Sequence, residues 1–140
     1  MRRTRAWLAV VLLPVLSAGC RLGPTTESIA PAARPQGAET EVRYARQGRD
    51  DTLVGELVAV REDGVLLLAP SGLRLVSYEV LSEARLEDVL GSSRRLRGRP
   101  SESERARVAL FARYPFGVGE DGVTGLLAAL GQERLIEIGP

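Results

Sequence analysis

The chain of 140 residues carries 19 basic and 18 acidic side chains, every basic one an arginine, with no histidine and a single cysteine. Such numbers leave room for one domain, exclude an internal disulfide and His-based acid–base chemistry, and remove the ligands on which most zinc sites rest. Three arginines and no acid precede Cys20, so the rest of the chain has sixteen arginines against eighteen acids and is no polycation aimed at nucleic acid.

The amino end falls into three parts. Arg2, Arg3 and Arg5 form a basic start, residues 6–17 are an apolar run, and the small residues Ala18 and Gly19 stand directly before Cys20. This is the layout of a secretory signal. The run has twelve residues and contains Pro14, whereas a spanning helix needs about 20 and tolerates proline poorly. The segment resembles a bacterial lipoprotein signal, with Ser17 where leucine is commoner. That resemblance implies cleavage after residue 19, lipid attached to the thiol of Cys20, and a membrane as the first partner. One acyl chain holds a protein to a bilayer only marginally, so firm anchoring implies two or three on Cys20. Arg21, standing where aspartate marks retention at the inner membrane in such lipoproteins, implies the periplasmic face of the outer membrane. Residues 20–40 then read as the lipidated cysteine and a tether: proline, glycine and small polar residues there show no apolar period and bury too little to offset their ordering entropy.

From residue 41 to 91 the pattern becomes that of strands. Val42 and Tyr44 alternate with charged neighbours, and residues 47–51 are a polar turn. Residues 53–60 form an apolar strand with Gly55 at a bend or bulge. Glu62, Asp63 and Gly64 read as a hairpin turn, followed by a return strand over 65–68. Residues 70–72 break it, and Leu73, Leu75 and Ser77 lie on one face of the next strand. Val80, Ala84, Leu86 and Val89 continue the apolar pattern. Residues 53–68 and 76–86 together resemble Sm-like or SH3-like small β-barrels, the last stretch being similar to the carboxyl-terminal barrel of bacterial ribosome-maturation factors. The resemblance implies about five strands. RNA-binding members carry an Asp and a Met-Asn pair around the hairpin; Arg61, Gly64 and Val65 stand there instead, so RNA binding is not implied.

Residues 92–140 read as a helical segment packed on the barrel. Arg94, Arg95, Arg97 and Arg99 form a basic run, with acids on both sides, and read as a solvated connector. Ser101 and Glu104 have capping-box spacing and open a helix over 102–113, with Val108, Phe111 and Leu110 towards the core. Pro115 ends it. A second helix starts near Glu120, with Val123, Leu126, Leu127 and Leu130 on one stripe and Gly131 as its cap. A short strand over 134–138 closes an α+β fold whose pairing with the barrel stays open.

No P-loop, dinucleotide fingerprint, metalloprotease or nucleophile-elbow motif occurs in the sequence. The paired acids (Glu62 with Asp63, Glu87 with Asp88, Glu120 with Asp121) sit at turns and element ends. The expectation is a non-catalytic binding or structural module without cofactor or metal, its partner another envelope protein and not nucleic acid. Two alternatives are carried: a small-ligand site or enzyme at the barrel–helix junction, and phosphate or nucleic-acid binding through the arginine run. The candidate binding residues are Arg94, Arg95, Arg97, Tyr114 and Phe116; the aromatic pair reads first as packing, in a chain with only six aromatics.

Overall fold

Seven strands and two helices account for residues 36–140, which a computed structural model describes. The signal segment, Cys20 and the tether up to residue 35 lie outside the described residues. The strands are β1 (Glu39–Arg46), β2 (Arg49–Val60), β3 (Gly64–Ala69), β4 (Gly72–Ser77), β5 (Leu81–Glu87), β6 (Ser93–Leu96) and β7 (Ile136–Ile138); α1 (Glu102–Ala109) and α2 (Glu120–Leu130) lie between the last two. They form one sheet in the order β6-β5-β1-β2-β3-β4-β7, with β6 and β7 as its edges. The fold is α+β. Only the β4–β7 pairing is parallel.

The turns follow local chemistry. Gln47 and Gly48, both at positive φ (51° and 74°), join β1 to β2, because such two-residue turns match the twist of the strands they connect. The polar turn expected over 47–51 is therefore two residues long, and Asp50 and Asp51 already belong to β2. Gly64 serves the next hairpin differently: it pairs with Ser77, and a Cβ there would collide with the Val76 carbonyl. Gly55 likewise lies against the backbone of Leu68, while the register shift in β2 falls later, between Leu57 and Ala59.

Connectivity forces the sheet to curl. Laid flat, β4 and β5 would stand about 19 Å apart, with three strands between them at about 4.8 Å per step. The three residues that join them, Tyr78, Glu79 and Val80, reach at most about 14 Å from Ser77 to Leu81. The corner is pinned where Ala45 N–H donates to the Val80 carbonyl at 2.9 Å and the Tyr78 hydroxyl donates to the Arg61 carbonyl at 2.8 Å.

Curling gives the sheet two apolar faces. Val42, Leu57, Val65, Leu67, Val76, Ala84 and Leu86 fill one cluster, with Leu96 from β6 and Val108 and Ala112 from the α1 end. Val58, Leu66, Leu73 and Leu75 fill the other, beneath Val123, Leu126 and Leu127 of α2. Because β3 is covered on both faces, its sequence GVLLLA is continuously apolar, the pattern of a doubly buried strand.

Several expectations need correction. Residues 38–40, read as tether, belong to the folded part: Ala38 and Thr40 are buried and β1 starts at Glu39. The connector expected over 92–100 contains β6, which pairs with β5 from Glu87 to Ala84; with Leu96 as its one buried residue, its pattern carries almost no apolar signal. Val89 does not continue the core of β5 but stands 81 % exposed. The capping box at Ser101 and Glu104 is present, yet α1 stops at Ala109 and not Arg113. The N–H groups of Arg113 and Tyr114 donate instead to the Leu57 and Val58 carbonyls of β2, at 2.9 and 3.0 Å, and Leu110 turns outward. In α2 only Val123 of the expected stripe is fully buried, Leu126 and Leu127 are partly buried and Leu130 is exposed, and Gly131 caps the helix in the left-handed conformation. The last strand is three residues long and joins the sheet against β4.

Candidate functional site

The arginine run is organised by the pleat of β6. Alternation puts Arg94 with Leu96 on the face that packs towards α1, and Arg95 on the opposite face. The Arg94 guanidinium carbon lies 6.0 Å from the centre of the Phe111 ring, within reach of the ring's negative face. Leu96 pairs with Ala84 and is buried beneath Val108.

The outer face of β6, β5 and β1 is a lattice of mixed charge. Arg95 stands beside Arg85, Arg85 beside Glu41, and Glu83 beside Arg43. Glu83 lies 3.4 Å from Arg85 and 3.5 Å from Arg97, and Arg43 lies 3.8 Å from Glu41. Burial pushes the Glu83 carboxyl up, but Arg85, Arg95, Arg97 and Arg43 together outweigh it and hold the group below its ordinary 4.5. With Glu39 and Glu87 counted, four acids balance four arginines on this face. It is no anion patch.

Between β6 and α1 the balance differs. A cleft of about 350 Å³ is lined by Arg94 and Arg107 against one acid, Glu104, with Arg95 and Arg97 at its border shared with the outer lattice. Glu104 is already engaged at the helix start, where its Oε2 accepts from the Ser101 N–H at 2.9 Å. Among the described residues no carboxylate lies within salt-bridge distance of Arg94 or Arg107. Arg107 went unread as a site residue; its spacing of three from Glu104 places both on one helix face and is the signal in the sequence.

Tyr114 and Phe116 do not join the arginines. Tyr114 is half-buried and packs on the α2 side of the sheet. Phe116, expected to pack, is 79 % exposed and lines a separate cavity of about 260 Å³ with Arg61, Glu62 and Arg105. Gly117, at φ 93°, follows it in the turn between the helices.

A second polar constellation was not foreseen. Arg113 holds Glu56 through two parallel bonds, Nε to Oε1 at 2.7 Å and Nη2 to Oε2 at 2.5 Å. Glu56 Oε1 also accepts the Gly37 N–H at 2.7 Å, and a Cβ on Gly37 would collide with the Leu57 carbonyl. The hydrogen bond from Glu56 raises the Arg113 pKa against the effect of burial. Glu56 was visible in the sequence as the one charge within the apolar run 53–60. Its partner, 57 positions away, was not. This pair joins three segments of chain, faces no reacting group, and is read as a structural clamp.

Among the described residues, no three side chains of the metal-ligating types converge, and no helix is long and apolar enough to cross a membrane. No protein-family model, curated protein or solved structure matches this chain.

Proposed function

We propose that the chain is a lipid-anchored protein of a bacterial envelope, attached through Cys20 at the periplasmic face of the outer membrane. Its folded domain is a non-catalytic module that binds an acidic segment of another envelope protein in the cleft between β6 and α1. The observation that carries the binding surface is the pairing state of the arginines: Arg94 and Arg107 share the cleft with Arg95 and Arg97, and neither has a carboxylate within salt-bridge distance among the described residues. Guanidinium groups take carboxylates through two parallel bonds, which gives such a cleft geometry as well as charge. The anchor reading rests on the basic start, the short apolar run and Ala18-Gly19-Cys20.

The domain itself we assign to the small barrels of Sm-like or SH3-like type. Support comes from the order β5-β1-β2-β3-β4 within the sheet and the three-residue step from β4 to β5, which together require a curled sheet. RNA binding does not follow, since Arg61, Gly64 and Val65 replace the residues that carry it in the Sm-like pattern.

The test is a photo-crosslinking residue in place of Arg97, whose side chain is 75 % exposed, in the full chain within its own envelope. A discrete protein adduct that disappears in Arg94→Glu/Arg107→Glu is the expected result. No discrete adduct, or one indifferent to that charge reversal, removes the cleft as a partner site.

A further inference from the structure

The hairpin between β5 and β6 holds two apolar side chains out in water. Asp88 Oδ1 accepts the N–H groups of Leu90 and Ser92, each at 2.9 Å. The Asp88 N–H donates to the Ser92 carbonyl at 2.9 Å and the Gly91 N–H to the Asp88 carbonyl at 3.0 Å, with Gly91 at φ 80°. The loop is thus tied by four hydrogen bonds in five residues, and at its tip Val89 and Leu90 are 81 % and 87 % exposed. Single exposed apolar side chains need no explanation. Here two neighbours on one tied turn are the most exposed large apolar residues described, and neither belongs to either core cluster.

Position suggests what covers them. One cavity is lined by Gln36, Gly37 and Glu39 together with Glu87, Asp88 and Val89, so the chain arriving from Cys20 enters the domain beside this tip. Sixteen peptide steps separate Cys20 from Gln36, which caps their separation at about 55 Å. The charges around the tip are mixed: Glu39, Glu41, Glu87 and Asp88 accompany Arg85, Arg94 and Arg95, and the Asp88 carboxylate is occupied by its two N–H donors. Attraction therefore comes from the apolar pair and not from net charge.

We propose that the β5–β6 tip is a membrane-contact element. Val89 and Leu90 enter the interfacial layer of the bilayer that holds Cys20, and the domain is thereby fixed in orientation on the surface. This rests on the lipid-anchor reading for its proximity to the bilayer, and the experiment separates the two.

The full chain, made in a bacterial host as Leu90→Cys, is reconstituted into phosphatidylcholine vesicles with and without one-fifth phosphatidylglycerol. Since Cys20 is the sole native thiol, one titratable thiol together with the mass of acyl chains on the intact protein reports a lipidated Cys20, and two thiols report that the anchor has failed. An environment-sensitive fluorophore on residue 90 should be quenched by brominated lipid several-fold more than the same probe at Leu130→Cys, a site on α2 that is 45 % exposed. Quenching should agree within about twofold between the two lipid mixtures and fall to the residue 130 level in Val89→Asp. A probe at 90 no more quenched than one at 130 overturns the proposal. So does shielding that grows with protein density without bromine quenching, which would assign the tip to a second copy of the chain. A count of two thiols removes the anchor alone; the same comparison in a Cys20→Ala background then decides the tip.

Discussion

Glu56 shows how one side chain can close a fold. It sits where β2 passes from its pairing with β1 to its pairing with β3 and gathers the entry segment at Gly37 and the exit of α1 at Arg113. Both partners are mostly shielded, with side chains 15 % and 27 % exposed, so removing one leaves a charge with poor access to water. Glu56→Ala is expected to cost about 2–3 kcal/mol, seen as a lower denaturant midpoint with an unchanged slope; a shift under a quarter of that would return the clamp to an ordinary surface pair. Tyr78 gives a pH signature. Burial, the largest influence, outweighs nearby Arg105 and pushes its hydroxyl from 10.0 to about 12. The folded state thus keeps a proton that the unfolded state releases first. Its contribution is complete below pH 10 and is lost as pH rises towards 12. Tyr78→Phe should flatten the alkaline fall in stability between those values, at a constant cost of about 1 kcal/mol for the bond to Arg61. An alkaline profile identical to wild type would show that Tyr78 does not control it.

At the scale of elements, the strands with strong apolar alternation and the helix with a capping box were legible, and the reason is local. β4 and β5 each carry enough buried residues to announce their period, β3 is legible as an unbroken apolar run, and Ser101 with Glu104 names the start of α1. β6 was illegible because only Leu96 in its four residues is buried and its pairing partner supplies the rest. Its stability should accordingly hang on that residue. Leu96→Ala is expected to cost about 2–4 kcal/mol and to remove amide-exchange protection from β6 before the rest of the sheet. Uniform loss of protection across all strands would show that β6 is not a separable edge. The end of α1 was misread for a related reason: helix propensity continues through residue 113, but β2 takes the N–H donors of Arg113 and Tyr114. Competition for backbone hydrogen bonds, decided by distant carbonyls, overrides local preference. Gln132 is a further case. Its amide accepts from the Leu73 N–H at 2.8 Å and donates to the Leu73 carbonyl at 3.0 Å, imitating a strand at the edge of β4 just before β7 pairs there. Nothing near Gln132 in the sequence foretells it.

For the whole molecule, the proposed anchor, cleft and tip make one arrangement. The chain enters its domain beside Val89, and the cleft of Arg94 and Arg107 lies one strand face away from the charge-balanced lattice around Glu83. The anchor has its own test. Wild-type chain expressed in a bacterial host should lose residues 1–19, gain the mass of acyl chains and sediment with membranes, while Cys20→Ala should show no lipid mass and partition to the soluble fraction. Equal behaviour of the two forms would end the anchor reading and reopen where the protein resides.

The proposal of export and anchoring draws on a short linear stretch, because signal recognition acts on extended chain: three arginines, an apolar run and small residues before Cys20 stand in order. The strand periods, the caps at Ser101 and Gly131 and the absence of histidine chemistry were equally local matters. The tertiary structure alone decided which charges remain free. Arg94, Arg95 and Arg97 look alike in sequence, but the pleat of β6 turns Arg94 towards the Phe111 ring, while Arg97 at the border of the cleft meets Glu83 of the outer lattice. It also separated Phe116 from the arginines and joined Glu56 to Arg113. These outcomes depend on pairing between segments tens of residues apart. The energy that selects them comes from shared burial and from hydrogen bonds closed between distant partners, which no local window of sequence contains.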